Sequence, residues 1–435
     1  MSDVLDRFLR YVQVDSPSDP DNEEEVPSSP LEHGMARLLA DELTAMGCQD
    51  VSVDEHAYVL GTVPASAGAE GLPALCLCSH LDTTADAPSL GVRPHVVHYE
   101  GGNLVAGVVD GQAVETTPEQ VPDLAGFVGQ DIVCSDGSTL LGADDKAGVA
   151  EICALAARLL KDPSIPHPTL KLAFVPDEEI GHGASLLDLE KLGAAWGYTV
   201  DGEALGEFNY ETFNAAEALV RVRGVMVHPG SAKDVMVNAI TVAAEFDQLV
   251  PAAERPEHTS GREGFYHPTL IRGTASELTL SYIVRDHDAE KFSQRQQTLC
   301  DIAEFLNKRY GEGTVTVTLH EQYRNMAEAF GECPFLIDNA LAANREAGVE
   351  PSVVAVRGGT DGSQLSLRGL PCPNIATGGY NAHSVREFIP VPSLEVTVEI
   401  LQNLVAKFAV SQEAVPQEAA PQEATPQAFG QTAAR

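Results

Sequence analysis

Leu75-Cys-Leu-Cys78-Ser-His80-Leu-Asp82-Thr-Thr84 sets a short apolar run directly against an imidazole and a carboxylate. An apolar run of this length, bounded by polar residues, reads as a buried strand. The arrangement recurs along the chain. Asp144 and Asp145 follow Leu140-Leu141-Gly-Ala and open a helical pattern with Val149, Ile152, Leu155, Ala156 and Leu159 on one face. Leu170 to Val175 is a strand stopped by Pro176, and Asp177, Glu178 and Glu179 come next. Tyr198 to Val200 leads into Asp201, and Asn374 to Thr377 leads into Gly-Gly-Tyr-Asn-Ala-His383. Val353 to Val356 reads as a further strand and Ser393 to Phe408 as a closing helix. Strands alternating with helices predict an α/β fold, a mostly parallel sheet flanked by helices. In such sheets ligands sit beyond the carboxyl ends of the strands. Five polar groups at strand ends therefore predict one convergent site.

The middle of the chain follows another pattern. Ala218 to Val227 alternates, Val237 to Val250 is helical, Glu277 to Val284 is a strand, Ala289 to Tyr310 is a long helix and Thr314 to Leu319 alternates again. This predicts an α+β domain with a covered antiparallel sheet, inserted over 212–323 into a catalytic domain made of 1–211 and 324–410. The start reads as an amphipathic helix with Val4, Leu5, Phe8, Leu9 and Val12 on one side, and a punctuated loop over 15–30 separates it from a second helix near Leu31 to Met46. Gln-Glu-Ala-x-Pro repeats through Pro416, Pro421 and Pro426, so 411–435 is expected to be a disordered tail.

Composition narrows the partners. The 435 residues include 64 acidic and 27 basic side chains, a formal net charge of −37. Such a chain repels a phosphate backbone and an anionic membrane surface. No stretch approaches a membrane span, and the start lacks the basic head and apolar run of a signal peptide. The eight cysteines form no CxxC pair and read as reduced thiols of a cytoplasmic protein. Gly358-Gly359-Thr-Asp-Gly362 has no P-loop lysine and no Gly-x-Ser-x-Gly spacing, so neither nucleotide binding nor a serine nucleophile is expected.

Two imidazoles among several carboxylates, without a thiolate, suit zinc, with manganese or cobalt next. So many acids in one pocket repel each other unless cations neutralise them. Two divalent ions sharing a carboxylate, about 3.5–4 Å apart, would do so. Each piece alone has a plainer reading. Asp144-Asp145 is a good helix N-cap, Glu178-Glu179 fits a solvated face, and Asp177 and Asp201 fit turns. The joint order is what carries weight.

That order, His80-Leu-Asp82-Thr-Thr, Gly-Ala-Asp144-Asp-Lys-Ala-Gly, Pro-Asp-Glu178-Glu179-Ile-Gly, Val-Asp201-Gly and Gly-Gly-Tyr-Asn-Ala-His383, resembles the peptidase T family. These are tripeptide aminopeptidases among the two-zinc exopeptidases that include carboxypeptidase G and aminoacylase. Phe213-Asn-Ala-Ala, Val227-His228-Pro-Gly-Ser, Glu263-Gly-Phe-Tyr-His267 and Arg357-Gly-Gly-Thr-Asp-Gly extend the likeness over roughly residues 4 to 408. The resemblance implies a zinc-exopeptidase-like catalytic domain with an inserted lid and dimerisation domain, and a homodimer formed through that lid. It implies two zinc ions bridged by Asp144, one completed by His80 and Asp201 and the other by Glu179 and His383. Glu178 would be the general base and Asp82 the brace of His80, and the Asp144–Asp145 peptide would be cis. His228, Arg357, Asn238 and Arg285 would meet the peptide substrate. His267 is expected to be structural, and His95, His98, His182 and His287 to face solvent.

The expected activity is release of the N-terminal residue from tripeptides. An N-acyl amino-acid deacylase or a dipeptidase of the same clan is the alternative, and a non-catalytic metal-binding scaffold a remote one.

Overall fold

A computed structural model describes residues 2–22 and 24–410, so the tail expected over 411–435 lies outside the described residues. Leu75–His80 runs through the interior of an eight-stranded sheet. Side chains alternate across a strand, and both sides here are covered. Leu75 and Leu77 enter one core with Phe8, Leu39, Leu155 and Leu401, while Cys76 and Cys78 enter another with Leu365, Leu370 and Cys372. Burial on both faces explains why these strands are almost continuously apolar.

Leu170–Val175, Leu75–His80, Trp196–Val200 and Asn374–Ile375 lie side by side and parallel. Val59–Val63 pairs antiparallel with Leu170–Val175 on one flank, and Gln49–Val53 continues that edge. Glu207–Asn209 runs antiparallel on the other flank and pairs in parallel with Ser352–Val353. The last two strands of the expected set are regular only over Ser352–Val353 and Asn374–Ile375, beyond which the Val354, Val356 and Ala376 N–H groups still bond to the Phe208, Glu211 and Glu207 carbonyls.

The Ala143–Lys161 helix packs on this sheet beneath the Asp3–Tyr11 and Val391–Lys407 helices. Its expected apolar stripe is buried, and so are Ala147, Ala150, Cys153 and Ala154. Small side chains on the remaining faces let the neighbouring helices approach. Residues 95–134 form a small β layer that the periodicity did not predict: His95–His98, Asp131–Cys134 and Phe388–Pro390 share one sheet, and Leu104–Val109 pairs with Gln112–Thr116.

The insertion is a four-stranded antiparallel sheet in the order Phe265–Gly273, Glu277–Asp286, Asn214–Arg223, Val315–Tyr323. Ala216, Ala218, Val220, Leu280 and Tyr282 face the helices Ala239–Leu249 and Ala289–Tyr310, which contribute Val242, Phe246, Phe292 and Leu299. Burying side chains of this size stabilises the layer by about 1.5–3 kcal/mol each. Phe265–Gly273 is an extra edge strand; its outer residues are exposed, so no alternation announces it.

The two chain crossings into this lid are stitched by buried amides. Asn325 Oδ1 accepts from the Thr212 and Ala327 N–H groups, and its Nδ2 donates to the His287 carbonyl. Asn214 Oδ1 accepts from the Asn325 N–H, and its Nδ2 donates to the Asp286 and His287 carbonyls. His287, expected at the surface, is buried here, its ring 4.2 Å from that of Phe213 and tilted by 40°, with Nε2 bonded to the Val356 carbonyl. A histidine read singly carries no sign of such a junction. All eight cysteines are free, and no helix among the described residues is long and apolar enough to cross a membrane.

Replacing Asn325 by alanine orphans the buried Thr212 N–H and the half-buried Ala327 N–H at the crossing. The expected loss is about 3 kcal/mol of unfolding free energy by urea titration. A loss under about 0.5 kcal/mol, the size of an ordinary surface change, would show that the crossings do not depend on this side chain.

Candidate metal centre

The four parallel strands end on one side of the sheet and deliver their polar groups to one place. His80 is the last residue of its strand, and its Nε2 lies 3.0 Å from Asp144 Oδ1 and 3.7 Å from Asp201 Oδ1. His383 Nε2 lies 2.9 Å from Glu179 Oε2 and 3.5 Å from Asp144 Oδ2. Asp144 therefore stands between the two imidazoles, one oxygen toward each. Its peptide bond to Asp145 is cis, as expected. Two groups could each hold a cation, His80 with Asp144 and Glu179, and His80 with Asp145 and Asp201, their ligand atoms within 4.8 Å of one another.

Asp82 does more than brace one ring. Its Oδ1 is 3.2 Å from His80 Nδ1, which also lies 3.1 Å from the Asp82 carbonyl. The same carboxylate accepts from the Glu178 and Glu179 N–H groups at 3.1 and 3.2 Å. One buried side chain thus aims His80 and the turn that carries both glutamates. Asp86, which no spacing singled out, is the equivalent partner of His383, with Oδ2 3.0 Å from Nδ1.

The charge distribution is lopsided. Burial disfavours ionisation of Glu178, Asp201 and Asp145 and pushes all three well above the carboxylate range; Asp361, Asp144 and Asp201 respectively are the next largest causes. Burial also works against the His80 cation, yet Asp82 and Asp144 outweigh it and hold the ring well above its ordinary range. Hydrogen bonds to Asp144 and Glu179 push His383 up to about 11. Burial opposes ionisation of Asp144 too, but the two histidines pull it far below the usual value. Glu179 Oε1 is buried without a hydrogen-bond partner. The carboxylates thus draw positive charge from the imidazoles, which is the charge that divalent cations would supply to an oxygen and nitrogen donor set. The residues fit a metal pair.

The four residues expected to meet substrate lie apart from this set. His228 is exposed, and its Nδ1 accepts from the Gly230 N–H. Asn238 Oδ1 accepts from the Ile240 N–H and caps the Ala239–Leu249 helix. Arg285 donates to the Ala216 carbonyl and Gln322 Oε1, with its guanidinium over Tyr323. Arg357 donates to the Gly261 and Glu263 carbonyls and Thr259 Oγ1, and stacks on Phe213 and Phe265. In this conformation its donors hold a lid loop. His267 is exposed on the edge strand.

Beneath the site, the loop over 15–30 grips the glutamate turn. Asp177, at φ 54°, accepts from the Ser28 N–H and hydroxyl, while Glu32 Oε2 accepts from the Asp177 N–H and Oε1 from the Ser29 N–H. Burial, then Asp82 and Asp177, push the Glu32 carboxyl up to about 10, so it stays protonated in the fold. The folded state then binds a proton that the unfolded chain releases near pH 4.5, and this stabilisation is lost as pH rises toward 10. Glu32→Gln, which mimics the neutral acid, is expected to gain Tm over the native chain progressively between about pH 5 and 9. A Tm difference independent of pH would show that Glu32 is not a buried neutral acid.

Residues 210–314 match the family model described as a peptidase dimerisation domain. Peptidase T of Parabacteroides distasonis is 45% identical over 404 residues, covering 92% of this chain and 98% of that protein. Peptidase T of Geobacillus thermodenitrificans is 42% identical over 407 residues, covering 93% and 98%. Among solved structures, aminopeptidase PepT from Bacillus cereus superposes with a TM-score of 0.73 at 25% identity, over 94% of this chain and 98% of that one. The fold is also that of a dinuclear metal binding peptidase of the M20 family from Bacillus subtilis, at a TM-score of 0.63 and 13% identity over 93% and 97% of the two chains. With the strand-end cluster of imidazoles and carboxylates, these likenesses place the chain in the peptidase T family of aminopeptidases.

Proposed function

We propose that the chain removes the N-terminal residue from tripeptides, with two zinc ions as its resident metals. The observation that carries this reading is Asp144 standing between His80 and His383, with Asp201 and Glu179 on either side. His80 and Asp201 would hold one ion, Glu179 and His383 the other, and Asp144 both. Bound there, a metal pair supplies polarisation of the scissile carbonyl and a water acidified toward neutrality.

The protein's own groups do the rest. Glu178 is the general base. It follows the αL residue Asp177, its N–H is fixed by Asp82, and its surroundings raise its affinity for a proton. It takes a proton from the attacking water and returns it to the departing amine, so one carboxyl serves as base and then acid. Asp82 and Asp86 keep the two imidazole rings oriented. His228, Asn238, Arg285 and Arg357 belong to the substrate side of the reading, reached when the lid closes and Arg357 exchanges its lid carbonyls for a peptide carboxylate. The insertion over 212–323 is the lid and dimerisation domain, and a second copy of the chain is its partner. Val225, Met226, Ile240 and Ile271 on the lid are exposed and suit that contact. Eight reduced thiols suit the cytoplasm.

Metal-dependent release of the first residue is expected from free tripeptides and not from their N-acetylated forms, followed by chromatography before and after chelation. Cleavage of the acetylated peptides, or of dipeptides alone, would instead mark a deacylase or dipeptidase. Glu178→Gln is expected to keep both ions by elemental analysis while kcat falls by about 10³-fold or more. Near-native turnover in that variant would remove Glu178 from the mechanism.

A further inference from the structure

Glu387 is buried, 2% exposed, and among the described residues no lysine, arginine or histidine bonds its carboxylate. It is satisfied by three main-chain donors instead. Oε2 accepts from the Leu141 N–H at 2.7 Å and the Gly142 N–H at 2.6 Å, and Oε1 accepts from the Asp144 N–H at 3.0 Å. Gly142 is left-handed at φ 78°, and a Cβ there would stand 3.2 Å from the Thr83 methyl, so this bend has little room to take another shape. On its own side Glu387 lies four residues after His383, and its N–H closes a turn on the Ser384 carbonyl before Phe388 pairs with Tyr380 and Cys134. A single carboxylate therefore joins the bend that presents Asp144 to the turn that presents His383.

We infer that Glu387 is a positioning residue for the metal pair, fixing the separation of Asp144 and His383. The inference rests on the reading of those two residues as ligands. A buried carboxylate is costly unless hydrogen-bonded, and three aligned amides offset that cost only while the bend keeps its present shape. Loss of the carboxylate frees the bend and lets Asp144 rotate away from His383. Both ions feel this through Asp144, and the one held with Glu179 and His383 feels it most, because Glu387 also ties the turn that carries His383, whereas His80 is separately held by Asp82 and by its N–H bond to Asp145.

The test is titration of the chelated full chain with Co²⁺ alone, followed by its visible absorption, for the native protein and Glu387→Gln. Folding is checked by circular dichroism in the same buffer. The native chain is expected to take two ions. The variant is expected to take both ions more weakly, the second by about 10- to 100-fold, the usual size of an outer-shell effect. At saturating metal its kcat for a tripeptide falls while KM holds. Glu387→Asp retracts the charge by one methylene and serves as the second variant if glutamine does not fold; the same pattern of weakening is expected. Two ions bound by the variants with native affinity would overturn the inference. A native chain that takes fewer than two ions would overturn the metal reading beneath it, which is a separate and visible outcome.

Discussion

Concentrated negative charge at the ends of four parallel strands is the constraint on which the rest depends. Glu178, Glu179, Asp144, Asp145, Asp201 and Asp82 converge there with two imidazoles and, among the described residues, no bonded lysine or arginine. Carboxylates this close favour ionisation only if cations or aligned donors offset their repulsion. The fold supplies the donors. Asp82 takes two amides of the glutamate turn, Asp145 takes the Ser79 hydroxyl and the His80 amide, and Glu387 takes three amides of the bend before Asp144. Each interaction spends a carboxylate on shape and leaves its neighbours free for metal.

The surrounding architecture follows. A sheet covered on both faces keeps its strand ends fixed, so the side chains just beyond them hold their places without long loops. The Ala143–Lys161 helix starts at Asp144, between the two imidazoles, and is clamped along most of its length by small-residue contacts. The Ser28–Glu32 segment grips Asp177 from below, joining the N-terminal loop to the glutamate turn. The lid meets this rigid body at the Asn214 and Asn325 crossings and at the bonds made by His287 and Arg357.

Much of this was legible in the residue order. Leu75–His80 and Leu170–Val175 are buried on both faces, so they read as unbroken apolar runs, and the change to His80 or Asp177 marks the strand end. The candidate ligands could be assembled because each member follows an apolar run. Phe265–Gly273 escaped notice because an exposed edge strand has no face to keep apolar, and the strands within 95–134 are short and half-exposed for the same reason. Asp86 and Glu387 were invisible for a different reason. Their partners, His383 and the 141–144 bend, are hundreds of residues away in sequence, and no local pattern encodes a long-range hydrogen bond. His287 looked like a surface histidine because its ring partner Phe213 comes from the other crossing.

The chain order of the site has a consequence for its biosynthesis. The lid core is built wholly from residues between Ala216 and Val315, so this layer can bury its apolar face as soon as it leaves the ribosome. His383, by contrast, reaches Glu179 and Asp144 only after the whole insertion has been made. A nascent chain can thus carry a folded lid beside a half-built acidic cleft, and the cleft cannot be completed until His383 has been made. A centre assembled in that order gains its second imidazole last, after the lid that flanks it has been made.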